Sequence, residues 1–248
     1  MTSTQEDDAS GDEDVLALSG IRVIEFCHMV MGPTAGMILA DLGADVIKIE
    51  PINGDTTRRL VHQGAGFFAT YNRNKRSLAL DLKTPGGLAA AKRLAEGADV
   101  IVENLRPGAL DDLGLGYTDM SADNPGLIYC ALKGFLDGPY AHRKALDEVV
   151  QMMGGLAYMT GPTGRPLRAG ASVTDIMGGM FGVIGIMAAL RDRERTGRGQ
   201  PVSAALYETT VHMVAQHMMQ YAVTGEPSGP MPDRPRAWAV YDTFQTID

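Results

Sequence analysis

The chain has 248 residues, 45% of them hydrophobic and 21% charged, which is an ordinary balance for a globular protein. Six acids in the first 18 residues, a stretch without Lys or Arg, carry most of the net charge of -8; beyond that stretch the charge is only -2, which excludes the basic face of a nucleic-acid binder. Two cysteines and no C-x-x-C exclude a disulfide framework, and the longest apolar run, Ile176 to Leu190, has four glycines and falls short of the roughly 20 residues that span a bilayer.

Residues 1–18 read as a disordered acidic tail, with neither the basic start nor the apolar core of a signal peptide. A cytoplasmic, metal-free protein without membrane contact is the expectation. Ile21 to Phe26 is a short β-rich run after Gly20 and predicts a first strand. The loop Cys27 to Pro33 follows, then a helix from Thr34 to Leu42 stopped by Gly43. Ala44 to Glu50 predicts a second strand, closed by Pro51. Strand, helix and strand with short links make a right-handed βαβ unit on a parallel sheet. The first loop has Gly32 and Gly36 but no G-x-G-x-x-G, so a dinucleotide site is weakly supported and Gly32-Pro33 is equally a simple turn.

Gly54 to Arg59 is a polar loop. Leu78 to Lys83 alternates and predicts a third strand, beside the basic cluster Arg73, Lys75 and Arg76. Such a cluster suits phosphate groups, with Arg76 the candidate partner; a solvated turn is the plainer alternative. Thr84 caps a helix that runs to Glu96, with Pro85 at its first position. Asp99 to Glu103 predicts a fourth strand running into Asn104-Leu105-Arg106. Ligands of open α/β sheets sit off the carboxyl ends of the strands, which favours Asn104 and Arg106. Leu127 to Leu132 predicts a fifth strand, and the βα alternation makes the class α/β.

A helix is expected from Ala145 to Leu156, carrying Asp147 and Gln151 near its start. Arg168 to Thr174 then forms a polar turn that delivers Asp175 to the mouth of the Gly- and Met-rich helix read as buried. Its glycines mark close approach to another helix, a subunit or a ligand. Val202 to Leu206 predicts a strand and Tyr207 to Val223 a helix. Pro227 to Pro235 holds four of thirteen prolines and reads as a linker, before a strand-like run from Ala239 to Phe244. By residue type alone Asp175 is most simply a helix N-cap.

The ordered set Gly32-Pro33, Leu42 to Pro51, Asn74-Lys75-Arg76-Ser77, Val102-Glu103-Asn104 with Arg106-Pro107-Gly108, Asn124-Pro125, Thr196 to Gln200 and the Asp175 element resembles the class III CoA-transferase family over about Leu18 to Asp248. The resemblance implies a Rossmann-like large domain at 19–225, a linker and the start of a small domain at 226–248, and two interlocked subunits. It implies acyl-CoA and a small carboxylic acid as substrates, coenzyme A as a substrate rather than a resident cofactor, and Asp175 as the catalytic aspartate. The positions resembling CoA contacts are Val30, Met31, Leu80, Asp81, Leu82, Lys83, Asn104, Leu105, Arg106, Lys144, Ala145, Leu146 and Asp147; Arg76 is added on physical grounds alone.

The sequence departs from the family pattern in four ways. Val30 replaces the Gln of formyl-CoA transferase, and Asp112 stands where some members have a basic CoA contact. Leu146 stands where transferases have Tyr and the related racemases a catalytic His, and Leu cannot move a proton. The chain also ends where the family's small domain and glycine loop would follow. CoA transfer through an aspartyl anhydride and an aspartyl-CoA thioester is therefore the leading expectation. An acyl-CoA racemase or a non-catalytic CoA-binding module are the alternatives.

Overall fold

The computed structural model describes residues 15–234 and 244–247. The acidic stretch 1–14 and most of the strand-like run at 239–244 lie outside them. In chain order the elements are β1 (Arg22–Phe26), α1 (Met31–Asp41), β2 (Asp45–Glu50), α2 (Phe67–Tyr71), β3 (Arg76–Ala79), α3 (Pro85–Glu96), β4 (Val100–Glu103), α4 (Tyr117–Asp123), β5 (Ile128–Lys133), α5 (Asp147–Met153), α6 (Leu156–Thr160), α7 (Val173–Thr196), β6 (Pro201–Ala205) and α8 (Leu206–Thr224), with short 3-10 turns between some of them. The six strands form one sheet in the order β3-β2-β1-β4-β5-β6, every pair parallel. This is the Rossmann order, and the strand sequence reverses between β1 and β4.

Inside its edge strands β3 and β6 the sheet is buried on both faces, as parallel sheets are. One core holds Val23, Val46, Val100, Val102, Cys130 and Leu132 with side chains of α1, α7 and α8. The other holds Ile24, Ile47, Ile101 and Tyr129 with α3 and α4. Successive strand residues point to opposite faces, so Val23 and Ile24 serve different cores. The central strands are therefore mostly apolar on both faces, with Glu25, Lys48 and Glu50 the buried charged exceptions in β1 and β2.

The structure corrects several boundaries. The helix expected from Thr34 begins at Met31, so Gly32-Pro33 is its first turn and not a separate loop turn. Proline is tolerated there because the first-turn amides have no partner inside the helix. The third strand ends at Ala79 although Leu80 and Leu82 continue the alternation. Asp81 starts a turn instead: its side chain accepts from Lys83 N at 3.0 Å and its carbonyl from the Thr84 hydroxyl at 2.8 Å. Thr84 then caps α3 as expected, accepting from Gly87 N. The single helix expected at 145–156 is two, because the Gly154-Gly155 pair breaks it and Gly155 has φ +88°. Leu18, read from the sequence as part of the tail, is buried, and its amide donates to Leu42 O at 2.9 Å.

Helix α7 is long and apolar enough to cross a membrane, yet one of its faces packs on α1, β5 and β6. The glycines permit this packing: a Cβ on Gly179 would lie 2.6 Å from Met31 O. The expectation of a buried helix holds for that face only, because Met180, Ile184 and Met187 are exposed on the other.

Candidate active site

Two neighbouring features lie at the carboxyl edge of the sheet. The first is a cleft of about 650 Å³ off the ends of β1 to β4. Its walls are largely apolar, from Phe26, Ile49, Pro51, Leu80, Leu82 and Leu105, while His28, Asp81 and Lys83 supply polar groups. The floor has fixed charges. Glu50 accepts both Arg58 Nε at 2.8 Å and Nη2 at 2.7 Å, plus the Ser77 hydroxyl and Asp55 N. Burial would raise its pKa, but these hydrogen bonds win and hold it near 2. Burial also lowers the His28 pKa, keeping that ring neutral near pH 7.

The loops at the strand-order reversal are tied together. Asn104 accepts from His28 N at 2.9 Å and donates to His28 O at 2.8 Å. Leu105 is fixed by Glu103, which accepts its amide at 2.9 Å, and by Lys133, which donates to its carbonyl at 3.0 Å. Asn104 thus serves as a staple between β1 and β4, with both polar ends of its amide engaged.

The second feature is Asp175. It occupies the third position of α7, so it is not the cap; Ser172 stands there and makes no side-chain cap bond. The free amides of the first turn are taken by Asp147 of α5. Its Oδ2 accepts from Thr174 N (2.9 Å), the Thr174 hydroxyl (2.6 Å) and Asp175 N (3.2 Å), and Oδ1 accepts from Gln151 Nε2 (2.5 Å). Gln151 Oε1 in turn accepts Ala169 N at 2.8 Å, and Arg168 pairs with Asp147 at 3.3 Å and Glu148 at 3.7 Å. The approach turn and the helix start are therefore locked by one buried acid. Among the described residues no side chain or amide donates a hydrogen bond to the Asp175 carboxylate.

Burial first, then the negative charges of Asp147 and Glu148, push the Asp175 carboxyl up to about 7, against the pull of Arg168. A helix N-terminus by itself would favour this group as an anion. Here burial outweighs that effect, and Asp147, which takes the free amides of the helix end, adds its own negative charge. Tyr71 lies close enough that burial and then the charges of Asp175 and Asp147 raise its own pKa.

The sequence-derived residues divide accordingly. Leu80, Asp81, Leu82, Lys83 and Leu105 line the cleft. Val30 and Met31 are buried at the start of α1, with Met31 under Gly178 one turn beyond Asp175. They join the cleft-lining His28 to the helix that carries Asp175. Asp147 sits behind Asp175, Ala145 packs beneath Gly134, Leu146 is exposed at the start of α5, and Lys144 is exposed in the preceding loop. Arg106 is exposed and paired with Asp112 at 2.9 Å. Arg76 does not join these groups: it begins β3, at the opposite end of that strand from the cleft, and its guanidinium is forked onto Asp45 at 2.6 and 2.8 Å. Thr174, Arg168 and Lys48 were not anticipated as site residues, and Lys75 was anticipated only as part of a basic cluster suited to phosphate. Their partners are distant in sequence, so only spacing-independent pairing of buried charges would have revealed them.

A parallel sheet in Rossmann order, with an aspartate free of hydrogen-bond donors on a glycine-rich helix at its carboxyl edge, defines an α/β protein of the doubly wound class. The family model for CoA-transferase family III matches residues 18–248, and the chain belongs to that family. It is 43% identical over 223 residues to the succinate–glutarate CoA-transferase of Agrobacterium fabrum, covering 85% of this chain and 56% of that protein. It is 39% identical over 236 residues to the acetyl-CoA:oxalate CoA-transferase of Acetobacter aceti, covering 92% and 61%. A CAIB/BAIF family protein from Brucella suis superposes with a TM-score of 0.83 at 40% identity, covering 87% of this chain and 60% of that one. Rv3272 from Mycobacterium tuberculosis gives 0.79 at 36% identity, covering 85% and 60%. The chain therefore spans about three fifths of the length of these relatives.

Proposed function

We propose that the protein moves coenzyme A from an acyl-CoA thioester to a carboxylic acid, with Asp175 as the nucleophile. The observation that carries this reading is the Asp175 carboxylate itself, held rigidly by its backbone yet free of hydrogen-bond donors. The cleft lined by Leu80 to Lys83 and Leu105 is the site proposed for the CoA moiety, with its thioester reaching Asp175 past Val30 and Met31.

In the proposed sequence an oxygen of ionised Asp175 attacks the thioester carbon. The C–S bond breaks, giving an aspartyl anhydride and CoA thiolate. The thiolate attacks the aspartyl carbonyl, releasing the first acid and forming an aspartyl-CoA thioester. The acceptor carboxylate then reverses both steps. Each step conserves one activated acyl bond, provided water is kept out. A half-buried nucleophile raised to about 7 suits this: desolvation makes the anion more reactive, and near neutral pH a large share of it is still ionised. Leu146, exposed and without a titratable group, offers nothing to a two-base racemisation. Cytoplasmic location and an interlocked homodimer are part of the same proposal.

The test is intact-mass and peptide mass spectrometry of the purified chain after mixing with a panel of acyl-CoA esters, with hydroxylamine added to trap activated carboxylate. The expected result is a hydroxamate on Asp175 that disappears in Asp175→Ala while CoA binding remains. Adduct formation surviving in Asp175→Ala sinks the reading.

A further inference from the structure

Beneath the first loop lies a buried cluster of charges that the chemistry above does not use. Glu25 of β1, Lys48 of β2, Asp55 and Lys75 come from four segments, and no side chain among them is more than 2% exposed. Lys48 pairs with Glu25 at 3.1 Å and Asp55 at 3.0 Å; Lys75 pairs with Glu25 at 2.6 Å. The four charges sum to zero. Buried ion pairs give little net stability compared with apolar side chains of the same volume, so stability alone does not account for four of them.

One remaining donor of Lys75 goes to Asn72 Oδ1 at 3.2 Å, and each lysine sends another to the segment above. Lys48 Nζ donates to Cys27 O at 2.6 Å and Lys75 Nζ to Pro33 O at 2.9 Å. These carbonyls mark the two ends of the segment 27–33. Between them the staple from Asn104 holds His28, and Met29 adopts φ +65°, a left-handed conformation costly for a side chain of that size. The cluster sits hard against α1, since a Cβ on Gly36 would fall 1.8 Å from Glu25 Oε2. The segment's near end lines the cleft at Cys27 and His28, and Met31, toward its far end, lies under Gly178 of the Asp175 helix.

We propose that Lys48 and Lys75 are positioning residues for acyl transfer: from inside the core they clamp both ends of segment 27–33, hold Met29 in its strained conformation, and so set the span between the cleft and Asp175. The proposal rests on the acyl-transfer reading. Removing one charge alone would strand its partner in the core and risk unfolding. The informative variant is the double substitution Glu25→Gln with Lys75→Met, which leaves Lys48 and Asp55 balanced. Three readouts are needed: thermal unfolding with acyl-CoA affinity, the single-turnover rate of adduct formation at Asp175, and hydrogen–deuterium exchange of the peptide covering 27–34.

The double variant is expected to unfold near the native temperature and to bind acyl-CoA within about threefold. It should acylate at least tenfold more slowly, with exchange in 27–34 at least tenfold faster. Native exchange in that peptide, or native acylation despite faster exchange, overturns the proposal. If the native chain acylates with no thioester, the acyl-transfer reading fails instead, and the exchange result alone then decides whether the cluster clamps the loop.

Discussion

Replacing Asp175 by Asn removes a charge and leaves the shape of the site intact. In the fold this carboxyl titrates near 7, against an ordinary 3.8. At 1.36 kcal/mol per pKa unit, ionising it inside the fold costs about 4 kcal/mol, and discounting for the part of the carboxyl that meets water leaves about 2 to 4 kcal/mol. Because the folded pKa of this acid is raised, the folded chain holds its proton through the window from 3.8 to about 7. Stability is thus lost as pH rises across that window, and the full cost is present above it. Asn carries no such cost. In a domain of this size each kcal/mol moves Tm by about 2 to 4 °C, so Asp175→Asn should raise Tm by about 5 to 10 °C at pH 8. The gain should shrink by half or more at pH 5, where the native carboxyl is already protonated. Differential scanning calorimetry of both proteins at the two pH values decides it. An equal gain at both, or a loss at pH 8, would refute the assignment of a strained, charged carboxylate at this position. The same variant should form no acyl adduct, placing activity and stability in opposition at one atom pair.

Other consequences can be measured independently. Single-turnover acylation should rise about tenfold from pH 6 to pH 8 with a midpoint near 7, following the ionised fraction of Asp175; a rate flat above pH 5 would mean an ordinary aspartate. Gly179→Ala should cost about 1 to 3 kcal/mol in chemical denaturation, because the new methyl meets the backbone oxygen of Met31, whereas Gly178→Ala meets only the movable Met31 side chain and should cost less. Glu50, held near 2 against an ordinary 4.5, contributes stability that is present above 4.5 and lost as pH falls toward 2. Glu50→Gln should therefore cost on the order of 2 to 3 kcal/mol at pH 7 and flatten acid denaturation between pH 4.5 and 2, as followed by circular dichroism.

Much was legible in local pattern. Five of the six strand positions followed from short runs of β-branched and aliphatic residues, the third being misplaced, and the alternation with helices fixed a parallel α/β sheet, because both signals depend only on neighbours along the chain. The Thr84 cap was readable for the same reason. Asp175 stood out by its setting between a polar turn and a glycine-rich helix, and the ordered motifs pointed to the family.

What sequence could not supply was the pairing of distant groups. Glu25 and Lys48 stand 23 residues apart and meet only because β1 and β2 are adjacent in register. Asp147 and Thr174, 27 apart, meet only because α5 packs against the start of α7. The sequence alone determined the class of fold, the family and the identity of the candidate nucleophile, since each is written in local order and residue type. Only the tertiary structure decided that Asp175 is no cap, that its pKa is raised rather than lowered, that Arg76 is spent on Asp45, and that two buried lysines grip the first loop. Electrostatics and hydrogen bonding depend on distance and burial, and neither exists until the chain has folded.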